Sequence, residues 1–227
     1  MIKKRIFYLV CIVFISNNVK GQNPAENELG NWLMYFGTHK ISEKYSLHYE
    51  TQLRNYEVIS NFNQLLPRVG LNYHIDESSI VTAGYAFIPT QNEFDKGWGE
   101  EMVTENRIWE QFILRNSINR VKIRHRYRLE QRWVKAGDIT TYKNRARYMF
   151  SVKLPISKNE ESPLFISLYD EIFLNISDNP FDQNRLFAAL GYQVNKQMNI
   201  QLGYLRHRAG SLDLNRLQLA LFLNTGN

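Results

Sequence analysis

The chain has 227 residues, 44% of them hydrophobic, with 28 Lys and Arg against 22 Asp and Glu. Four of the cations, Lys3, Lys4, Arg5 and Lys20, lie in the first 21 residues with no acid, so the formal charge of +6 falls to +2 beyond them, 24 basic residues against 22 acidic. That balance is poor support for a nucleic-acid partner, the single cysteine, Cys11, excludes a disulfide framework, and no later apolar run is long enough for a transmembrane helix.

Residues 1–21 read as a secretory signal. Lys3, Lys4 and Arg5 form the charged start, Ile6 to Ile15 an apolar run too short to span a bilayer, and Val19-Lys20-Gly21 places a small residue before Gln22. Cleavage is expected after Gly21. Cys11 follows Val10, where lipoprotein processing needs a small residue, so no lipid anchor is expected. The remaining residues, 22–227, are enough for one domain.

From there the chain alternates. Tyr45, Leu47, Tyr49, Thr51 and Leu53 interleave with Ser46, His48, Glu50, Gln52 and Arg54. The same period of two predicts strands over 29–38, 43–56, 62–75, 79–89, 103–116, 120–133, 141–154, 163–176, 183–194, 198–208 and 213–224. Most exceed the usual strand of about five or six residues and have the length of a tilted strand crossing a bilayer. The stretch 121–134 shows the pattern most sharply: Val121, Ile123, Tyr127, Leu129 and Trp133 share one parity, and Lys122, Arg124, Arg126, Arg128, Glu130 and Arg132 the other. A helix would scatter these arginines around its surface.

Tight connections are expected at 76–78, 117–119 and 195–197, and longer ones at 91–102, 135–140 and 177–182. Short turns at one end and longer loops at the other characterise outer-membrane barrels. Tyr45, Tyr73 and Tyr192 stand beside tight turns, and Trp133 and Tyr142 beside a longer loop. Those are positions for interfacial aromatic girdles. The fold class expected is therefore all-β: an antiparallel transmembrane β-barrel of about ten to twelve strands, apolar face to lipid and charged face to the lumen. The structural alternative is a soluble antiparallel sheet with one solvated charged face.

Two features resist. Eleven strands is odd, where bacterial single-chain barrels are even, so strand 29–38 is expected to be partial or another strand to have been missed or split. Glu110 shares its parity with Ile108 and Phe112 on the lipid side, which predicts a bulge or a shifted register there.

The stretches "GNWLMYFGTHKISEKYSLHYETQLRNY", "LPRVGLNYHI", "TAGYAF", "ENRIWEQFI", "RHRYRLEQRW", "DEIFLN", "QNRLFAALGYQV" and "LGYLRHR", in that order, resemble the bacterial family of domain of unknown function 2490, common in Bacteroidota. The resemblance covers nearly all of the chain beyond the signal. It implies an outer-membrane barrel in a Gram-negative envelope and supplies no activity, so no catalytic residue is carried over.

The candidate site is a lumen charge network: Glu105, Arg107, Arg124, Arg126, Arg128, Glu130, Arg132, Arg145, Arg147, Glu171 and Arg185. A hairpin through Gly137 sets Glu130 near Arg145 and Arg128 near Arg147. Such a network either fills a narrow barrel with ion pairs or presents cations to anions. Acids gather instead in expected connections: Asp76, Glu77, Glu93, Asp95, Glu100, Glu101, Glu160, Glu161, Asp178 and Asp182. The aromatics of 121–134 lie opposite its arginines, so they cannot stack bases over the same groove, and no nucleic acid is expected.

His39, His48, His74, His125 and His207 fall on separate elements with no HExxH or GxSxG pattern, and no metal or cofactor signature is present. The expected protein is a monomer in outer-membrane lipid. Its role is structural or porin-like, a narrow channel for small anionic solutes. The alternatives are a membrane-embedded lipid-modifying enzyme, which an outward Ser–His pair would favour, and a surface platform for a protein partner.

Overall fold

The computed structural model describes residues 23–157, 159, 162–177 and 179–226. The signal expected at 1–21 lies outside them. A short helix, α1 (Pro24–Asn27), precedes eleven strands: β1 (Leu29–Lys40), β2 (Tyr45–Asn55), β3 (Phe62–His74), β4 (Ser79–Thr90), β5 (Val103–Ile118), β6 (Val121–Ala136), β7 (Ile139–Pro155), β8 (Leu164–Asn175), β9 (Phe181–Gln193), β10 (Met198–Ala209) and β11 (Leu212–Thr225). Each overlaps one of the stretches expected to be a strand, although β1 does not alternate strictly in burial. No helix among the described residues is long and apolar enough to cross a membrane.

Each strand pairs with its neighbours in sequence, and β1 closes the barrel against β11. The count is odd, and β1 is a full strand of 12 residues, neither partial nor split. Ten up-and-down reversals leave the first and last strands running in the same direction. The closing seam is therefore parallel, from Leu29↔Asn215 to His39↔Thr225, in an otherwise antiparallel sheet. Phe36 and Phe222 stack across it with ring centroids 4.7 Å apart. Closure pairs the edges that an open sheet would leave with free N–H and C=O groups.

Polarity is inverted relative to a soluble barrel. Glu130, Arg128, Arg107 and Glu171 are buried inside, while Tyr127, Leu129, Leu190 and Leu202 stand about half exposed outside. Apolar residues do pack in the lumen locally. Trp109 lies over β3 and β4 in a cluster with Leu66, Ala86 and Ile88. Two glycines make room for it: a Cβ at Gly70 would come within 2.8 Å of the indole, and one at Gly84 within 2.5 Å.

The ends are less regular than expected. Of the connections expected to be long, 91–102 is, whereas β6 and β7 join through Gly137 and Asp138 alone, with Gly137 at φ +56° in the left-handed region. At the opposite end, where tight turns were expected, β7 and β8 are separated by residues 156–163. Asp182 belongs to β9 rather than to a connection, and Glu160, Glu161 and Asp178 lie outside the described residues. At the N-terminal end α1 packs Ala25 against Tyr56 and Leu214, and the Tyr56 hydroxyl donates to the Gln91 carbonyl at 2.9 Å.

Glu110 also departs from expectation. The β4·β5 and β5·β6 registers run unbroken through Ala83↔Glu110↔Leu129, with no bulge. The carboxylate stays on the outer face and accepts a 3.2 Å hydrogen bond from Gln131, itself outward on β6.

Candidate functional site

Strand parity delivers the charges to the lumen, and register decides who meets whom. β6 and β7 pair Glu130 with Arg145 and Arg128 with Arg147, and β5 sets Arg107 beside Arg132. Glu130 is the hub. It lies 2.5 Å from Arg145, 2.6 Å from Arg147 and 3.1 Å from Arg107, so its acceptors are saturated by three guanidinium groups. Arg147 continues to Glu171 at 2.7 Å, which also takes Arg126 at 2.7 Å. Arg145 reaches Asp182 at 2.7 Å at the rim. Arg132 does not join Glu130; it pairs with Glu105 at 2.8 Å, beside Arg107 at 2.6 Å.

Cations outnumber these carboxylates, and aromatic faces hold some of the surplus. Phe173, fully buried, lies 4.1 Å from the Arg147 guanidinium, 4.5 Å from Arg185 and 5.0 Å from Arg145, measured to the ring centroid. Trp32 takes Arg54 at 3.8 Å and Arg185 at 4.7 Å. Trp109 takes Arg128 at 4.7 Å and Arg68 at 5.3 Å. Such contacts strengthen where water is excluded. Arg68 also pairs with Glu50 at 3.2 Å. Glu50, Arg54, Arg68 and Asp182 extend the network beyond the residues expected from sequence. The first three were legible in the parity of β2 and β3. So was the inward parity of Trp109, which it shares with Arg107 and Gln111.

A cavity of about 1000 Å³ runs along this lumen. Eleven arginines and two lysines line it, against four glutamates. Several donors there lack an acceptor: Arg126 Nε, Arg128 Nη1 and Arg68 Nε are buried with no hydrogen-bond partner among the described residues. Of the residues expected in the network, Arg124 and Arg185 join no ion pair among the described residues, and Arg185 rests instead on Trp32, Phe173 and Gln183. Arg124 faces Arg115 directly across β5·β6, and Lys122 faces Lys153 across β6·β7. Like charges placed opposite each other in a sheet are destabilising. The arrangement is suited to holding an anion by charge-assisted hydrogen bonds.

On the outside, Tyr45 and Tyr73 meet at 5.4 Å near one end, and Trp133 and Tyr142 at 5.2 Å near the other. Tyr192 is half exposed on the outer face of β9. The histidines remain dispersed, and no cluster of metal-ligating side chains occurs among the described residues. Ser46 Oγ and His74 Nε2 are 2.8 Å apart, but Ser46 is 1% exposed, faces inward and also accepts from Asn72, unlike the outward pair a lipid-modifying site would present.

A family model described as protein of unknown function (DUF2490) matches residues 29–218, from the first residue of β1 into β11. The chain belongs to this family. Its match takes in every residue of the lumen network described above. An uncharacterized protein of Methylorubrum extorquens is 26% identical over 185 residues, covering 77% of this chain and 78% of that protein. No solved structure matches.

Proposed function

We propose that this DUF2490 protein is an outer-membrane β-barrel, exported by its N-terminal signal, whose cationic lumen holds small anions and passes them slowly if at all. The apolar outer face, the polar interior and the aromatic residues near both ends support membrane placement. The anion reading rests on one observation: Arg124 opposite Arg115, with unpaired Arg126 and Arg128 donors nearby, facing the lumen cavity. Rings of cationic side chains select anions in pores. Filling by Trp109, Phe173 and the Glu130 network argues for a narrow path rather than a wide one.

Membrane placement is tested by fractionation and by comparing gel mobility before and after boiling. Extraction as a soluble monomer without detergent overturns it. Mass spectrometry of the native product should find a mature start at Gln22; a retained Met1 contradicts the signal. In planar bilayers the purified protein should be silent or show small, anion-preferring conductance. Titration with sulfate should give saturable binding. Cation selectivity, or silence together with no sulfate binding, overturns the anion reading.

A further inference from the structure

The lumen cavity has two unlike walls. One is cationic: Arg115, Lys122, Arg124, Arg126 and Lys153 project from β5, β6 and β7. The other, formed at the β11–β1 seam and by β8 and β9, carries Met34, Phe36, Phe222, Tyr169 and Phe187. Five strands separate β6 from the seam in either direction around the barrel, so Met34, Phe36 and Phe222 face the cationic wall across the lumen, and Tyr169 and Phe187 flank that wall on β8 and β9, the strands that follow β7. The second wall is backed by a continuous apolar cluster of Trp32, Phe187, Ala189 and Leu205, against which Met34 and Tyr169 pack. Arg54 and Arg185 stack on Trp32 in that cluster, while the inward positions Ala189, Gly203, Ala220 and Gln201 are small or neutral.

A site for an inorganic anion needs only the cationic wall. An apolar wall opposite it costs water contacts and gains nothing from sulfate, whereas it adds affinity for a ligand with an apolar body. Resting on the anion reading above, we infer that the cavity binds an amphiphilic organic acid, with its carboxylate at Arg124 and Arg115 and its apolar body against Met34, Phe36 and Phe222. The volume of about 1000 Å³ accommodates an aromatic or medium-chain acid. Arg124 supplies a planar fork of donors for the carboxylate.

The test uses the full mature chain in lipid nanodiscs, with calorimetric titration of four probes: sulfate, 1-naphthoate, decanoate and 1-naphthalenemethanol. One or both organic acids should bind at least about tenfold more tightly than sulfate, the worth of a modest apolar contact. Naphthoate and decanoate together distinguish an aromatic from an acyl body. The neutral alcohol should bind at least about tenfold more weakly than naphthoate. Arg124→Gln should weaken every anion. Met34→Ser and Phe222→Ser should each weaken the organic acids and leave sulfate unchanged; Met34→Ser keeps the test valid if loss of the Phe36–Phe222 stack opens the seam. Sulfate binding as tightly as both acids, with the two serine variants without effect, overturns the amphiphile inference and leaves the anion reading standing. No binding of any anion overturns both. Binding of the alcohol as tight as that of naphthoate overturns the role of the cationic wall.

Discussion

Arg115 and Arg124 sit directly opposite each other on β5 and β6, and neither has a carboxylate partner among the described residues. Two like charges directly opposite each other in a sheet cost stability. Arg124→Gln should therefore raise the thermal midpoint of the anion-free protein by the equivalent of about 0.5–1 kcal/mol. It should also reduce the further stabilisation that added sulfate gives the wild type. Thermal unfolding with and without sulfate checks both. A lower midpoint in the variant means that Arg124 has a stabilising role which its geometry does not reveal.

The Glu130 hub gives a second contrast. Removing this carboxylate leaves Arg107, Arg145 and Arg147 without a shared acceptor in a buried layer. Glu130→Ala should destabilise the barrel by about 3–5 kcal/mol. Glu101, exposed and paired only with Lys96, should tolerate alanine with little change. Equal shifts of the heat-induced gel transition in the two variants would refute the hub.

The parallel seam is testable by cross-linking. Leu33 lies opposite Leu219 across β1·β11 and opposite Leu53 across β1·β2, and the chain's own single cysteine is Cys11. With Cys11 removed by processing or replaced, the double variant Leu33→Cys, Leu219→Cys should oxidise to a disulfide as readily as Leu33→Cys, Leu53→Cys, since directly opposed strand positions lie within bridging distance. A cross-link in the second pair alone would show the barrel open at the seam or closed in another register.

Glu110 provides a check on which face meets lipid. A carboxylate outside a membrane barrel is costly, although less so than a lysine or arginine. Glu110→Leu in nanodiscs should hold or raise the thermal midpoint, by up to about 1 kcal/mol. Glu50→Leu should lower it, because Arg68 loses its ion-pair partner inside the lumen. If Glu110→Leu destabilises as much as Glu50→Leu, a polar environment covers the outer face of β5.

Strand positions and faces were legible because alternation is local: each Cβ points opposite to the last, whatever the partner strand. The expected 103–116 became Val103–Ile118, and 120–133 became Val121–Ala136. The two-residue turn at Gly137 likewise determines the β6·β7 register, which places Glu130 beside Arg145. Individual ion-pair choices were less legible. Arg132, two residues from Glu130 on the same face, turns to Glu105, because long side chains reach diagonally and across strands to whichever acceptor is not already filled.

What the amino-acid sequence determined by itself was the set of strands, the inward charged face and the outward apolar one, all properties of period two along a single segment. Only the tertiary structure decided the rest. Closure of eleven strands, each reversing the last, made the seam parallel and brought β1 to β11, 172 residues apart from Lys40 to Leu212. The same closure brought Trp32 of β1 against Arg185 of β9 and set the apolar seam across the lumen from the Arg115–Arg124 pair. Those relationships depend on the curvature that joins the first strand to the last, and no stretch of local alternation contains it.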